Sequence, residues 1–376
     1  MKVAMFSRFP VDINASRGGV ESATIGLLRG LMSHGGIDLH VVTMEKACRE
    51  LTVEQQEGIT IHRLPGSPVP MFIDILAGPG KKRLRSYLLG LQPDIIHFQE
   101  TYGLGMWDIE KPSVFTVHGF DSLNLVTEKP HLWRLRSVLW KYVEKLGLTH
   151  QKNLISINPY VKQEIEKYNT GNVYEIANAI SVKYFECESN KVKGRVFFAG
   201  WLNPRKNVIS LLRAIPHIIK SSPDISVHIA GEKCDDEYFE DIQSTIKNLH
   251  IDKYVNLLGR INQDEVMREL SEASVFVLPS KQENAPMAIA EAMAMGVPVI
   301  SSNLCGMPYM IKHEETGFLI EPDDHEDIAR RIIYLFNNDD DYAKISGVAI
   351  KDATENYHPV SVAKKTIQAY EEIIAQ

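Results

Sequence analysis

Short apolar runs recur along this chain, separated by longer stretches whose apolar positions repeat at helical spacing. In the first half the runs at residues 2–6, 39–43, 59–63, 94–98, 113–117, 154–157 and 173–176 predict strands. Several lack clean apolar–polar alternation, as expected of parallel strands covered on both faces. Residues 20–32 carry a helical pattern, after a polar loop that ends in Arg17-Gly18-Gly19. The second half starts the alternation again. Strands are expected at 195–199, 225–230, 254–258, 275–278 and 297–301, with helices at 206–219 and 286–295. Strand–helix–strand order of this kind specifies an α/β fold of two Rossmann-like, doubly wound domains facing a cleft. The polar stretch 189–194 lies in the break between the halves, between Ala177 and Gly194. The expected division is 1–180 for the N-terminal domain and 181–358 for the C-terminal domain. A last helix within 359–376 follows Pro359 and can cross back to the N-terminal domain. In open α/β sheets ligands bind beyond the carboxyl ends of the strands, so the cleft is the expected active site.

Composition narrows the function. No run approaches the ~18 apolar residues of a membrane span, and the opening segment is too short and too polar for a secretory signal. A cytoplasmic setting is therefore expected. The four cysteines are scattered, with neither metal-ligand spacing nor a disulfide framework. Net charge is −7, unevenly spread. Residues 1–180 hold 20 Lys/Arg against 18 Asp/Glu, the remainder 21 against 30. An acidic whole disfavours nucleic acid as a partner. The mildly basic first half suits an anionic ligand or surface.

The candidate chemistry is concentrated after the strand at 275–278. There a polar loop presents Glu283, and a helix begins around Asn284, Ala285, Pro286 and Met287. Pro is favoured in a first helical turn, and the free amides of a helix start, with its dipole, attract an anion. Glu291 stands eight positions beyond Glu283. A phosphate at the helix start would leave both carboxylates to accept hydrogen bonds from sugar or ribose hydroxyls. Taken alone, the pair also reads as a solvated loop residue and a surface residue.

The surrounding stretch, PSKQENAPMAIAEAMAMGVPVISS, resembles the donor-site signature of retaining GT-B glycosyltransferases. More narrowly it is similar to family four, also called glycosyl transferases group one. Further landmarks follow in the family's order: Gly18-Gly19-Val20-Glu21, Asp94-Ile95-Ile96-His97, Thr116-Val117-His118-Gly119, Ile176-Ala177-Asn178-Ala179-Ile180, and 199–207 (AGWLNPRKN). The strand ends Ala230-Gly231-Glu232 and Leu258-Gly259-Arg260, then Gly306 and Glu315-Thr316-Gly317-Phe318-Leu319, complete the series.

The resemblance implies a transfer of hexose from a UDP- or GDP-sugar to a glycan, glycolipid or polysaccharide precursor, with the anomeric configuration retained by a front-face mechanism. It gives Glu283 the donor-sugar hydroxyls, Glu291 the ribose, and Arg205 and Lys206 the diphosphate. His118 would sit near the donor sugar and β-phosphate, Gly18 and Gly19 would allow close backbone approach, and Arg260 would reach the nucleotide. His97 reads as structural. No Asp-x-Asp metal motif occupies a strand end, and cations with a helix dipole can replace a metal ion, so no metal or other cofactor is expected. One departure stands out: Trp201 follows Gly200 where the family often has arginine. Either Arg205 supplies the second charge or the chain is a non-catalytic relative. A GT-B nucleotide-sugar 2-epimerase is another alternative. A nicotinamide enzyme is set aside, because no G-x-G-x-x-G follows the first strand.

Two further stretches are basic. Residues 131–150 place Trp133 and Trp140 among Arg134, Arg136, Lys141 and Lys145, and 81–85 read KKRLR. A Trp-bearing basic helix can lie on an anionic membrane, though it is also an ordinary domain helix. Loops 8–17, 65–80 and 100–108 are expected to set specificity.

Overall fold

A computed structural model describes the chain apart from residues 17, 47, 67–72, 75, 77 and 100. Arg17, Glu100 and much of the 65–80 loop thus lie outside the described residues. The chain divides into two compact units, Met1–Ser122 with Leu135–Ser181 and Asn356–Gln376, and Leu123–Arg134 with Val182–Glu355.

The first unit is built on an eight-stranded sheet: β1 (Lys2–Phe6), β2 (Asp38–Glu45), β3 (Thr52–Gln56), β4 (Ile59–Pro65), β5 (Ile95–Phe98), β6 (Ser113–Val117), β7 (Asn153–Ser156) and β8 (Asn172–Glu175). Their spatial order is β3-β4-β2-β1-β5-β6-β7-β8. Every neighbouring pair is parallel except β3–β4. The order reverses between β1 and β5, which makes the C-terminal ends of these strands the place for a ligand. Val3, Met5, Val41, Ile61 and Ile95 are wholly buried, which explains why these strands read as apolar runs rather than alternating ones.

β3 was not anticipated. Its residues, Thr-Val-Glu-Gln-Gln, are mostly exposed, so an edge strand leaves no apolar signature. The hairpin is carried by its two-residue turn instead. Gln56 pairs with Ile59, and Glu57 and Gly58 both take positive φ, as a type I′ turn requires.

The C-terminal helix, Pro359–Ile374, belongs to the first unit and packs on helix Gly19–His34. Their approach depends on glycine: a Cβ on Gly30 would collide with the Pro359 carbonyl, and one on Gly26 would lie 2.7 Å from the Ala179 oxygen.

The second unit carries six parallel strands: β9 (Arg195–Ala199), β10 (Ser226–Ala230), β11 (Val255–Gly259), β12 (Val275–Leu278), β13 (Val299–Ser302) and β14 (Gly317–Ile320). Their order is β11-β10-β9-β12-β13-β14, with the reversal between β9 and β12. The expected N-terminal span, 1–180, is interrupted here, because Leu123–Arg134 groups with the second unit. Within that unit Arg205 Nε donates to Glu128 at 2.9 Å. No helix among the described residues is long and apolar enough to cross a membrane.

Candidate active site

The β9–β12 reversal places two loops side by side. One runs from Gly200 to Asn207, the other from Pro279 to Pro286, and the Lys281 amide joins them by donating to the Arg205 carbonyl at 2.8 Å. Asn207 ends the first loop in the left-handed conformation (φ 54°), which asparagine tolerates better than most residues. Its side-chain amide donates to the carbonyls of Pro279 and Pro322 at 3.2 and 2.7 Å. Helix Val208–Ile219 therefore starts later than 206, and Arg205 and Lys206 lie in a braced loop before it.

Both cations converge on Glu283. Arg205 Nη1 and Lys206 Nζ each lie 2.7 Å from Glu283 Oε1, and Arg205 Nη1 also donates to the Gln282 carbonyl at 3.1 Å. All three side chains are at least four-fifths buried. Burial pulls the Lys206 ammonium below its ordinary pKa, and the Glu283 carboxylate pulls it back up. With Glu128 the cluster holds two positive and two negative charges, so it is self-neutralised. A diphosphate that took over the cations would free Glu283 to accept from hydroxyls. Trp201 is more than half exposed, and Arg205 stands beside Lys206 on the same carboxylate oxygen.

Pro286 is the N-cap of helix Met287–Ala294 rather than part of its first turn, and its own side chain makes no cap hydrogen bond. Pro286 has no N–H to offer, so an anion at this helix start would meet the amides from Met287 onward. Glu291, on the same helix, is half-buried. Burial raises its carboxyl to about 7, and a hydrogen bond from the Tyr184 hydroxyl opposes the rise.

Arg260 does not join this group. It follows β11, two strands from β9, with a mostly exposed side chain paired to Glu232 at 3.4 Å.

In the first unit, Gly18 is the N-cap of helix Gly19–His34, in extended conformation (φ −163°). A Cβ there would meet nothing within 4 Å, so the space beside it is open and its backbone conformation does not demand glycine. His118 follows β6. Its Nε2 lies 2.6 Å from Gln99 Oε1, and its Nδ1 is buried without a hydrogen-bond partner among the described residues. Burial pushes its pKa down to about 4, against a smaller upward pull from Asn178.

Glu128, Tyr184 and Gln99 were not singled out from the sequence. Each acts on a site residue far away along the chain, and none has a local signature.

The two parallel sheets, each with its strand-order reversal, are of the GT-B kind. Residues 184–352 match the family described as glycosyl transferases group 1, and residues 17–184 match Glycosyltransferase Family 4. The chain belongs to this group 1, family 4-like set of glycosyltransferases. It is 25% identical over 325 residues to an uncharacterized glycosyltransferase of Methanocaldococcus jannaschii, covering 81% of this chain and 86% of that protein. In fold it is similar to sucrose-phosphate synthase from Thermosynechococcus elongatus, with TM-score 0.81, 19% identity and coverage of 100% of this chain and 99% of the other. It is also similar to Anabaena HepE in complex with UDP-glucose, with TM-score 0.72, 15% identity and coverage of 99% and 100%.

Proposed function

We propose that this enzyme moves a hexose from a UDP- or GDP-sugar to a glycan, glycolipid or polysaccharide-precursor acceptor, without a metal ion and with retention of configuration. The observation that carries this reading is the Arg205–Lys206–Glu283 cluster at the β9–β12 reversal. Arg205 and Lys206 hold the diphosphate, helped by the start of helix Met287–Ala294, and Glu291 accepts from the ribose hydroxyls. In a front-face step the anomeric C–O bond to the β-phosphate breaks, and the acceptor oxygen bonds to the same carbon on the same face. The acceptor proton passes to the departing phosphate oxygen. Negative charge grows on the diphosphate as the bond breaks, so fixed cations stabilise the transition state more than the ground state. Two such cations fill the role a divalent ion has elsewhere. The non-catalytic alternative rests on Trp201; the place of Arg205 beside Lys206 at Glu283 supports the catalytic reading instead.

The test is a thermal-shift panel of UDP, GDP, ADP and their sugars, with and without magnesium. At a hundredfold excess over Kd, a bound nucleotide adds ~2.7 kcal/mol of stability. One base family should shift the transition, equally with and without magnesium; no shift with any nucleotide would sink the reading. Repeating the panel across pH adds a signature of Glu291. Its carboxyl must be ionised to accept from the ribose, and its pKa is raised to about 7. Nucleotide affinity is therefore expected to be full above pH 8 and to fall as pH drops through 7. Glu291→Gln should flatten that dependence.

We further propose that the enzyme works in the cytoplasm against an anionic membrane, through helix Trp133–Thr149. Leu135, Val138, Leu139 and Tyr142 are each more than half exposed along one side of it. Arg134, Arg136, Lys141 and Lys145 are also exposed. Its one acidic residue, Glu144, is turned inward, accepting from the Ser122 amide at 3.0 Å. The other basic stretch is largely neutralised: Lys81 and Arg85 pair with Asp108 at 3.2 and 3.0 Å, and Arg83 with Asp74 at 3.8 Å. Sedimentation with anionic but not neutral vesicles is expected, with Leu139→Glu abolishing it. Equal binding to both vesicle types would overturn this assignment.

A further inference from the structure

A buried chain of polar side chains runs behind His118. Gln99 Oε1 lies 2.6 Å from His118 Nε2, and Gln99 Nε2 lies 3.0 Å from His97 Nε2. His97 Nδ1 lies 2.5 Å from the Tyr370 hydroxyl, and its Nε2 also meets Thr116 Oγ1 at 2.6 Å. His97, Gln99 and Tyr370 are almost wholly buried. Asn178 and Thr116 help line the small cavity that His118 and Gln99 share.

The proton positions follow from donor and acceptor roles. The Gln99 amide nitrogen can only donate, so His97 Nε2 accepts, and the His97 proton sits on Nδ1, facing Tyr370. The Gln99 oxygen can only accept, so His118 Nε2 carries a proton. In a neutral imidazole the other nitrogen is then bare. That nitrogen, Nδ1, is the ring position left without a partner among the described residues. Burial lowers His97 to about 3 and His118 to about 4, which keeps both rings neutral at pH 7.

We infer that Gln99 is a positioning residue, which locks His118 in its Nε2–H tautomer, keeps the bare Nδ1 toward the small closed cavity that Asn178 and Thr116 help line, and so fixes the ring's orientation at the end of β6. His97, anchored by Tyr370 of the C-terminal helix, in turn fixes the orientation of the Gln99 amide. The effect of that orientation on transfer rests on the transferase reading. The tautomer does not.

The experiment has two arms. The first is the long-range ¹H–¹⁵N spectrum of protein labelled at histidine, with His118 assigned from its loss in His118→Ala. At pH 7 the His118 ring should show the neutral Nε2–H pattern, and Gln99→Met should convert it to a mixture of tautomers. An Nδ1–H or doubly protonated ring in the unaltered protein would overturn the inference. The second arm is a double-mutant cycle on transfer rate. Gln99→Met should slow turnover about 10- to 100-fold, yet add nothing in the His118→Ala background. A structural role alone would give additive losses, and additivity would equally overturn the inference. A protein inactive with every donor would count against the transferase reading, while the spectrum would still decide the tautomer.

Discussion

Lys206→Ala is expected to lower kcat for sugar transfer by about 10²- to 10³-fold, the usual effect of removing one fixed group that stabilises developing negative charge. Lys206 Nζ lies 2.7 Å from Glu283 Oε1 in a site largely closed to water, where a charge is screened little and acts strongly. The fold should survive the change. Arg205 Nη1 remains 2.7 Å from the same carboxylate oxygen, so Glu283 is not left as an unpaired buried charge. Lys206→Met separates charge from packing. The lysine stem rests against Gly200, with Cε only 3.1 Å from where a Cβ at that position would stand. Methionine keeps much of that stem and loses the charge, so it should match alanine in rate and lysine in thermal stability. Steady-state kinetics with the donor found by the nucleotide panel provides the check. A Lys206→Met enzyme within threefold of the parent would show that Lys206 does not bear on the leaving group.

Gly231→Ala should cause a comparably large loss by a different route. A Cβ on Gly231 would collide with the Gly200 carbonyl. The two glycines follow neighbouring strands, and the backbone there is tied on both sides. Gly200 N donates to Ala230 O at 3.0 Å, and Gly231 N to Gly259 O at 2.8 Å. The collision is with backbone, so no side chain can turn aside to relieve it. Either β9 and β10 part at their ends or the 200–207 loop shifts. Overpacking of this kind costs about 1–3 kcal/mol, a fall of roughly 2–12 °C in melting temperature at ~2–4 °C per kcal/mol for a unit of this size. A shifted loop also carries Lys206 with it, so nucleotide affinity should fall by an order of magnitude or more. Scanning calorimetry and titration calorimetry would measure the two effects. Gly347→Ala, where an added Cβ meets nothing within 4 Å, is the control. If Gly231→Ala matched that control in both measurements, the close approach of the two strand ends would not be what holds the loop.

Much of the fold was legible because parallel strands covered on both faces must be apolar throughout. The strands at 2–6, 113–117, 195–199 and 275–278 have the limits their apolar runs predict. Thr52–Gln56 was not legible, because an exposed edge strand needs no apolar residues. The Glu283 cluster was legible in part. Glu283, Arg205 and Lys206 were singled out by their place in ordered motifs, yet nothing in their spacing says that both cations meet one carboxylate oxygen. Helix limits were legible only to within a turn. The helix after Asn207 starts late because its asparagine is pinned to Pro279 and Pro322, residues distant in sequence.

What the sequence determined by itself was the repeated α/β alternation, the family, and the residue types at the ends of the strands. Those depend on short-range pattern, since burial and backbone geometry act on neighbours along the chain. Only the tertiary structure decided which side chains pair. Glu128 reaches Arg205, Tyr184 reaches Glu291, and Tyr370 reaches His97 across 273 positions. A buried polar atom must be satisfied by whatever donor or acceptor the packing brings within about 3 Å. That partner is chosen in space, and its position in the chain carries no local trace of the choice.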